Sequence, residues 1–207
     1  MKAGIIVAME TEYEALRRSG TGCVELSGIG KVNAAMTATE MILRDRPDCI
    51  INSGCAGGMD PSLNIADFVV GTQTAFHDVW CGVDGTFGQV QGCPARFSAD
   101  PGLLAAAESL GPGSRCHFGL ICSGDQFFIS LEEDARIRRL YPDTLACDME
   151  SAAIAQVCSH FKVPFLSFRI ISDIHTDTKV QKETYEGFWK DISNDSFSFV
   201  RQLIERI

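Results

Sequence analysis

The chain has 207 residues, of which 45% are hydrophobic and 22% charged, with a net charge of −9. These values suit a single globular domain over 1–207 with one sizeable core, and the acidic balance argues against a partner that presents a phosphate backbone. No apolar run reaches the roughly 18 residues of a membrane-spanning helix, and the charges in "MKAGIIVAMETEYEAL" occupy the place of a signal-peptide cleavage site, so the expectation is a cytoplasmic protein bound to neither nucleic acid nor membrane.

In chain order, "KAGIIVA" reads as a strand and "TEYEALRR" as a short helix. "CVELSG" is a strand, and "KVNAAMTATEMILRD" a helix by the spacing of its apolar positions. "CIINSG" and "DFVVGTQTAF" are strands, the first running into the small residues Gly54, Cys55, Ala56, Gly57 and Gly58. Such a run lets backbone approach another segment or a ligand closely. Residues 78–98 are glycine-rich and irregular. "PGLLAAAESL" is a helix opened by Pro101, and "RCHFGLICSG" is a strand. "LEEDARIRRLY" and "MESAAIAQVCSHF" are helices on either side of the strand "TLACD". "PFLSFRIISD" is a long buried strand, and residues 185–207 read as one amphipathic C-terminal helix. Strands separated by helices predict an α/β sandwich with a mostly parallel sheet.

Nine cysteines without a CxxC pair, and four histidines scattered at 77, 117, 160 and 175, do not form a zinc-ligand pattern. Cys49, Cys122 and Cys147 lie in apolar runs and read as reduced core residues. No metal and no cofactor are implied.

Ligands of such sheets bind at the carboxyl ends of the strands. Met9 and Glu12 follow the first strand, where an acid in a helix's first turn also suits the helix dipole. Ile29 follows the second, in "IGKVN", which matches neither a Walker loop nor a dinucleotide fingerprint and, taken alone, reads better as a tight turn into a helix than as a ligand loop. Phe127 and Phe128 follow "GLICSG", either as core or as a stacking platform for a planar ligand. Glu150 follows "TLACD", and Asp173 ends the strand that contains Arg169, a buried cation in need of a partner. Carboxylates at three strand ends around a glycine-rich floor suggest acid–base chemistry on a neutral or cationic species.

"GIIVAMETE", "SGIGKVNAA", "IINSGCAGG", "SGDQF", "CDMESAAIAQVC" and "FRIISD", in this order, resemble the bacterial 5′-methylthioadenosine/S-adenosylhomocysteine nucleosidases of the purine nucleoside phosphorylase superfamily. The resemblance implies a three-layer αβα sandwich around a mixed sheet that partly closes into a barrel, and a homodimer. It implies cleavage of a purine N-glycosidic bond, with Glu12 activating water and Asp173, supported by Ser172, protonating the purine. Glu150 would accept the ribose hydroxyls, with Met149 packing on the sugar and Arg169 near the water. Phe127 would stack on the base, and Phe128 would read its edge through the backbone. Cys55, Ala56, Gly57, Met9, Ile29 and Tyr185 complete the substrate-binding set.

The sequence departs from the family at Cys55, where serine is common, and in a shortened stretch between Leu16 and Ser27. Trp80 within 78–98 and Tyr185, in place of phenylalanine, alter the region that takes the 5′ substituent. A related purine nucleosidase acting on futalosine, adenosine or inosine is therefore the alternative. A phosphorylase would want a cationic cradle at the first and third strand ends, where "AMETE" and "SGCAGG" carry no arginine. A non-catalytic nucleoside-binding module would have no need of Glu12 and Asp173.

Overall fold

The computed structural model describes residues 1–18, 23–82, 85–110, 115–127, 130–174, 178–191 and 198–207. It contains β1 (Ala3–Val7), α1 (Glu10–Arg18), β2 (Cys23–Leu26), α2 (Lys31–Asp45), β3 (Cys49–Gly58), β4 (Phe68–Phe76) and β5 (Phe97–Ser98). There follow α3 (Pro101–Ser109), β6 (Cys116–Ser123), α4 (Leu131–Leu140), β7 (Thr144–Asp148), α5 (Ser151–Phe161), β8 (Phe165–Ile174), α6 (Thr178–Asp191) and α7 (Ser198–Arg206).

The strands form one mixed sheet. β2 and β1 extend it in parallel from β3. From β3 the ladder passes through β8, β4, β6 and β7 and returns to β3, so five strands close a ring. The expectation of a mostly parallel sheet meets two antiparallel junctions in this ring, β4 with β8 and β7 with β3. Chain length explains the first. Residues 59–67 between β3 and β4 are too few for the dozen or more that a parallel crossover needs, so β4 must run back the other way. One apolar cluster takes a residue from each ring strand, Ala56, Val69, Ile121, Ala146 and Ile171, and fills the barrel interior.

Alternation along the strands builds the outer layers. Ile5, Ile51, Leu166 and Phe168 face Leu16, Leu103, Phe188, Phe199 and Leu203 on one side. Ile6, Ile50 and Phe165 face Ala38, Met41, Ile154 and Cys158 on the other. Phe168 and Phe199 stack with centroids 4.6 Å apart, which docks α7 onto the sheet. Cys49, Cys122, Cys147 and Cys158 are buried free thiols.

Three elements differ from their sequence reading. β3 continues through the glycine run to Gly58, because β8 and β7 supply it with partners that the local sequence does not reveal. The single helix expected over 185–207 is replaced among the described residues by α6, which begins at Thr178, and α7. Gln181, Tyr185 and Phe188 give α6 its inward face, so its apolar stripe starts before Tyr185. Within 78–98, Phe97–Ser98 forms a short edge strand on β4.

Candidate active site

The pocket opens where β1, β3, β7 and β8 end, and α1, α6 and residues 126–127 wall it in. Glu12 is carried there by the first turn of α1, whose N-terminal end suits an acid. Its side chain is 1% exposed. Oε2 accepts from the backbone N–H of Ala8 and Met9, both at 3.0 Å, and Oε1 from that of Cys55 at 2.9 Å. Burial raises its pKa above the ordinary carboxylate value, against the opposing charge of Arg169. Burial and the nearby Glu12 also hold Cys55 as a neutral thiol.

Gly54 makes this contact possible. Its φ is +149°, and a Cβ there would lie 2.7 Å from both Arg169 Nη1 and Glu12 Oε1. The first residue of the glycine run thus makes room for the Glu12 and Arg169 side chains, while Cys55, Ala56 and Gly57 form the pocket floor.

Arg169 does not itself line the pocket. It is fully enclosed, with Nε 2.7 Å from Asp148 Oδ2 and Nη2 3.6 Å from Glu150 Oε2. Its guanidinium also donates to Ser151 Oγ and Asn52 Oδ1. The buried strand arginine therefore has the partners its burial demands. Asp148 in turn accepts from Ser123 Oγ and Ser151 Oγ.

Glu150 precedes α5 and accepts from the N–H of Gly30 at 3.0 Å. Gly30 has φ +98°, a conformation glycine adopts without strain, and it turns this N–H toward the site. The "IGKVN" turn is therefore both a helix entry and a site contact. Burial first, and then Asp148, push the Glu150 carboxyl up to about 7, although Arg169 pulls it down.

Asp173, at the end of β8, is 4% exposed. Ser172 Oγ donates to its Oδ1 at 2.7 Å, and Gln181 Nε2 to its Oδ2 at 2.9 Å. On the rim, Phe127 meets Tyr185 edge-to-face with centroids 5.1 Å apart, and Tyr185 Oη lies 3.3 Å from Met9 Sδ. The loop bearing Phe127 is tied down by Asp125, which accepts from Lys31 N and donates its own N–H to Asp78.

The structure brings Met9, Glu12, Ile29, Cys55, Ala56, Gly57, Phe127, Met149, Glu150, Ser172, Asp173 and Tyr185 to this one pocket. Phe128 lies outside the described residues. Ala8, Gln126, Cys147, Asp148 and Gln181 also line it and were not expected. The sequence holds a signal for two of these. Asp148 belongs to the quoted "CDMES", and Gln181 stands one helical turn before Tyr185. Away from the pocket, Cys23, Glu25 and Asp45 gather ligand-type atoms, but Arg44 Nη2 sits 2.6 Å from both carboxylates.

Known proteins resemble the chain in both sequence and fold. A family model described as "Phosphorylase superfamily" matches residues 19–205. The chain is 41% identical to the 5′-methylthioadenosine/S-adenosylhomocysteine nucleosidase of Anoxybacillus flavithermus, with 100% of this chain and 99% of the relative covered. Among solved structures, the corresponding nucleosidase of Neisseria meningitidis in complex with methylthio-immucillin-A superposes with a TM-score of 0.93 at 36% identity, covering 100% of both chains. The futalosine hydrolase of Helicobacter pylori gives a TM-score of 0.92 at 26% identity, covering 100% of this chain and 98% of its own. Similarity at this level over the whole length places the chain in the phosphorylase superfamily, as a member of the 5′-methylthioadenosine/S-adenosylhomocysteine nucleosidase family.

Proposed function

We propose that this protein is a single-domain hydrolase that cleaves the N-glycosidic bond of 5′-methylthioadenosine and S-adenosylhomocysteine, releasing adenine and the thioribose. One observation carries the choice of water over phosphate. Four carboxylates, Glu12, Asp148, Glu150 and Asp173, line the pocket with no lysine or arginine among the described lining residues. Arg169 behind them is already engaged by Asp148 and Glu150. A phosphate dianion would meet repulsion there, whereas a sugar that gains positive charge is stabilised.

In the proposed mechanism water attacks C1′ and gives its proton to Glu12, whose raised pKa suits a general base. As the bond from C1′ to N9 breaks, Glu150 holds the ribose hydroxyls and Met149 packs on the sugar. Asp173 delivers a proton to N7, so the base leaves neutral and Asp173 becomes a carboxylate. Phe127 stacks on the purine.

The proposal extends to a homodimer acting in the cytoplasm. Ile29, Val32, Met36 and Leu43, all more than half exposed, run from the pocket rim along α2, and Trp80 is 55% exposed. A stripe of this kind marks an association surface, and a partner seated on it would abut the pocket mouth. No helix among the described residues is long and apolar enough to cross a membrane.

The test is base release from methylthioadenosine, S-adenosylhomocysteine, adenosine, inosine and futalosine, each with and without phosphate. Adenine from the first two at a rate indifferent to phosphate is the expected result. Release from futalosine or inosine alone would move the substrate, and phosphate dependence would overturn the hydrolytic reading. Asp173→Asn should lower kcat by about 10² to 10⁴ without shifting the melting temperature.

A further inference from the structure

We infer that Gln181 is a positioning residue for Asp173, an inference that rests on the nucleosidase reading above. Gln181 is 1% exposed, comes from the first turns of α6, and lines the pocket. Its Nε2 donates to Asp173 Oδ2 at 2.9 Å, while its Oε1 is buried with no hydrogen-bond partner among the described residues. A buried glutamine that leaves one half of its amide unmatched costs free energy. The structure bears that cost where the other half meets the group assigned to proton delivery.

The arrangement does two things. With Ser172 Oγ on Oδ1 and Gln181 Nε2 on Oδ2, both oxygens are held, so the carboxyl plane cannot rotate. The lone pairs left over define where a proton can sit and be passed on. Second, the donors grip the carboxylate that forms as the proton moves to N7, and a hydrogen bond to an ionised group is about twice as strong as a neutral one. Gln181 therefore acts more strongly in the transition state than in the substrate complex, which is the condition for raising kcat.

Each partner of Asp173 also has a second hydrogen-bonding option. Ser172 Oγ lies 3.3 Å from the carbonyl of Ala56, and turning the Gln181 amide would present Oε1 as an acceptor. Both side chains can thus serve the protonated acid and its conjugate base. A cradle that fits both states suits an acid that must be reloaded at every turnover.

The test uses Gln181→Met, which keeps the shape and removes the hydrogen bond, on whichever nucleoside the wild-type protein turns over fastest. The expected result is a kcat lower by about tenfold, with KM changed less than about twofold. Gln181→Glu supplies a readout that a packing role would not move. A protonated glutamic acid donates the same bond and its carboxylate does not, so the ratio of its kcat to that of the wild type should rise as the pH falls. Unchanged kcat in Gln181→Met, a loss confined to KM, or a pH-independent ratio for Gln181→Glu would each overturn the role. A wild-type protein that releases base from no nucleoside would instead overturn the nucleosidase reading, and this inference with it.

Discussion

Glu150 owes its chemistry to what surrounds it. In the unfolded chain its carboxyl ionises near the ordinary value of 4.5, and in the fold only near 7. The folded state therefore binds a proton that the unfolded state has released. Stability from this group is complete below about pH 4.5 and is lost as the pH rises toward 7, by on the order of 3 kcal/mol, and Glu12 shifts in the same direction. Glu150→Gln cannot ionise, and its amide oxygen can still accept from Gly30 N. Its melting temperature should fall less steeply than that of the wild type between pH 5 and 8, and parallel curves would contradict this assignment. Glu12, Glu150 and Asp173 were legible in the sequence because each stands at or just after the end of an apolar strand, where side chains of an α/β sheet reach the ligand edge. Asp148 stands in a legible motif, but its role is not legible there, since that role comes from Arg169, which lies on another strand and reaches it only across the sheet. For Gln181 the spacing to Tyr185 shows a shared helix face but not its partner, which is the end of β8 rather than anything on its own helix.

At the scale of elements, β3 joins support to chemistry. Its first half is an ordinary buried strand, and its second half is made of residues small enough to pack against the Glu12 and Arg169 side chains and to floor the pocket. Gly54→Ala would place a methyl group against both charged side chains at a φ that alanine rarely adopts. Destabilisation of at least about 2 kcal/mol is expected, with a fall in kcat because Glu12 must move. Retained stability and rate together would show that the contact is slack. The sequence announced the run of small residues but not that it stays a strand. Glycine has poor strand propensity, and the hydrogen bonds that extend β3 come from β7 and β8, far along the chain. The C-terminal helices were misjudged through the opposite error, an apolar pattern read as one element where the described residues hold two.

For the molecule as a whole, alternating strands and helices identified the α/β class, while closure of the sheet followed only from resemblance to a family. Periodicity sees which residues are apolar and does not see which strand edges meet. The exposed stripe on α2 predicts a dimer at assay concentration, checked by light scattering; a monomer mass there would leave Val32, Met36 and Leu43 without a role. The closed ring has a further consequence for how the protein is made. Among the described residues β8 is the last strand to be synthesised, yet it pairs with β3 on one side and β4 on the other, and it carries both Arg169 and Asp173. Until it emerges from the ribosome, β3 and β4 each wait with an open edge and the barrel has a gap. Nascent chains are thus exposed to mispairing for most of their synthesis. A chain truncated before β8 would hold neither Asp173 nor the Arg169 cation that pairs with Asp148 and Glu150, so the pocket stays incomplete until β8 and then α6 have been made.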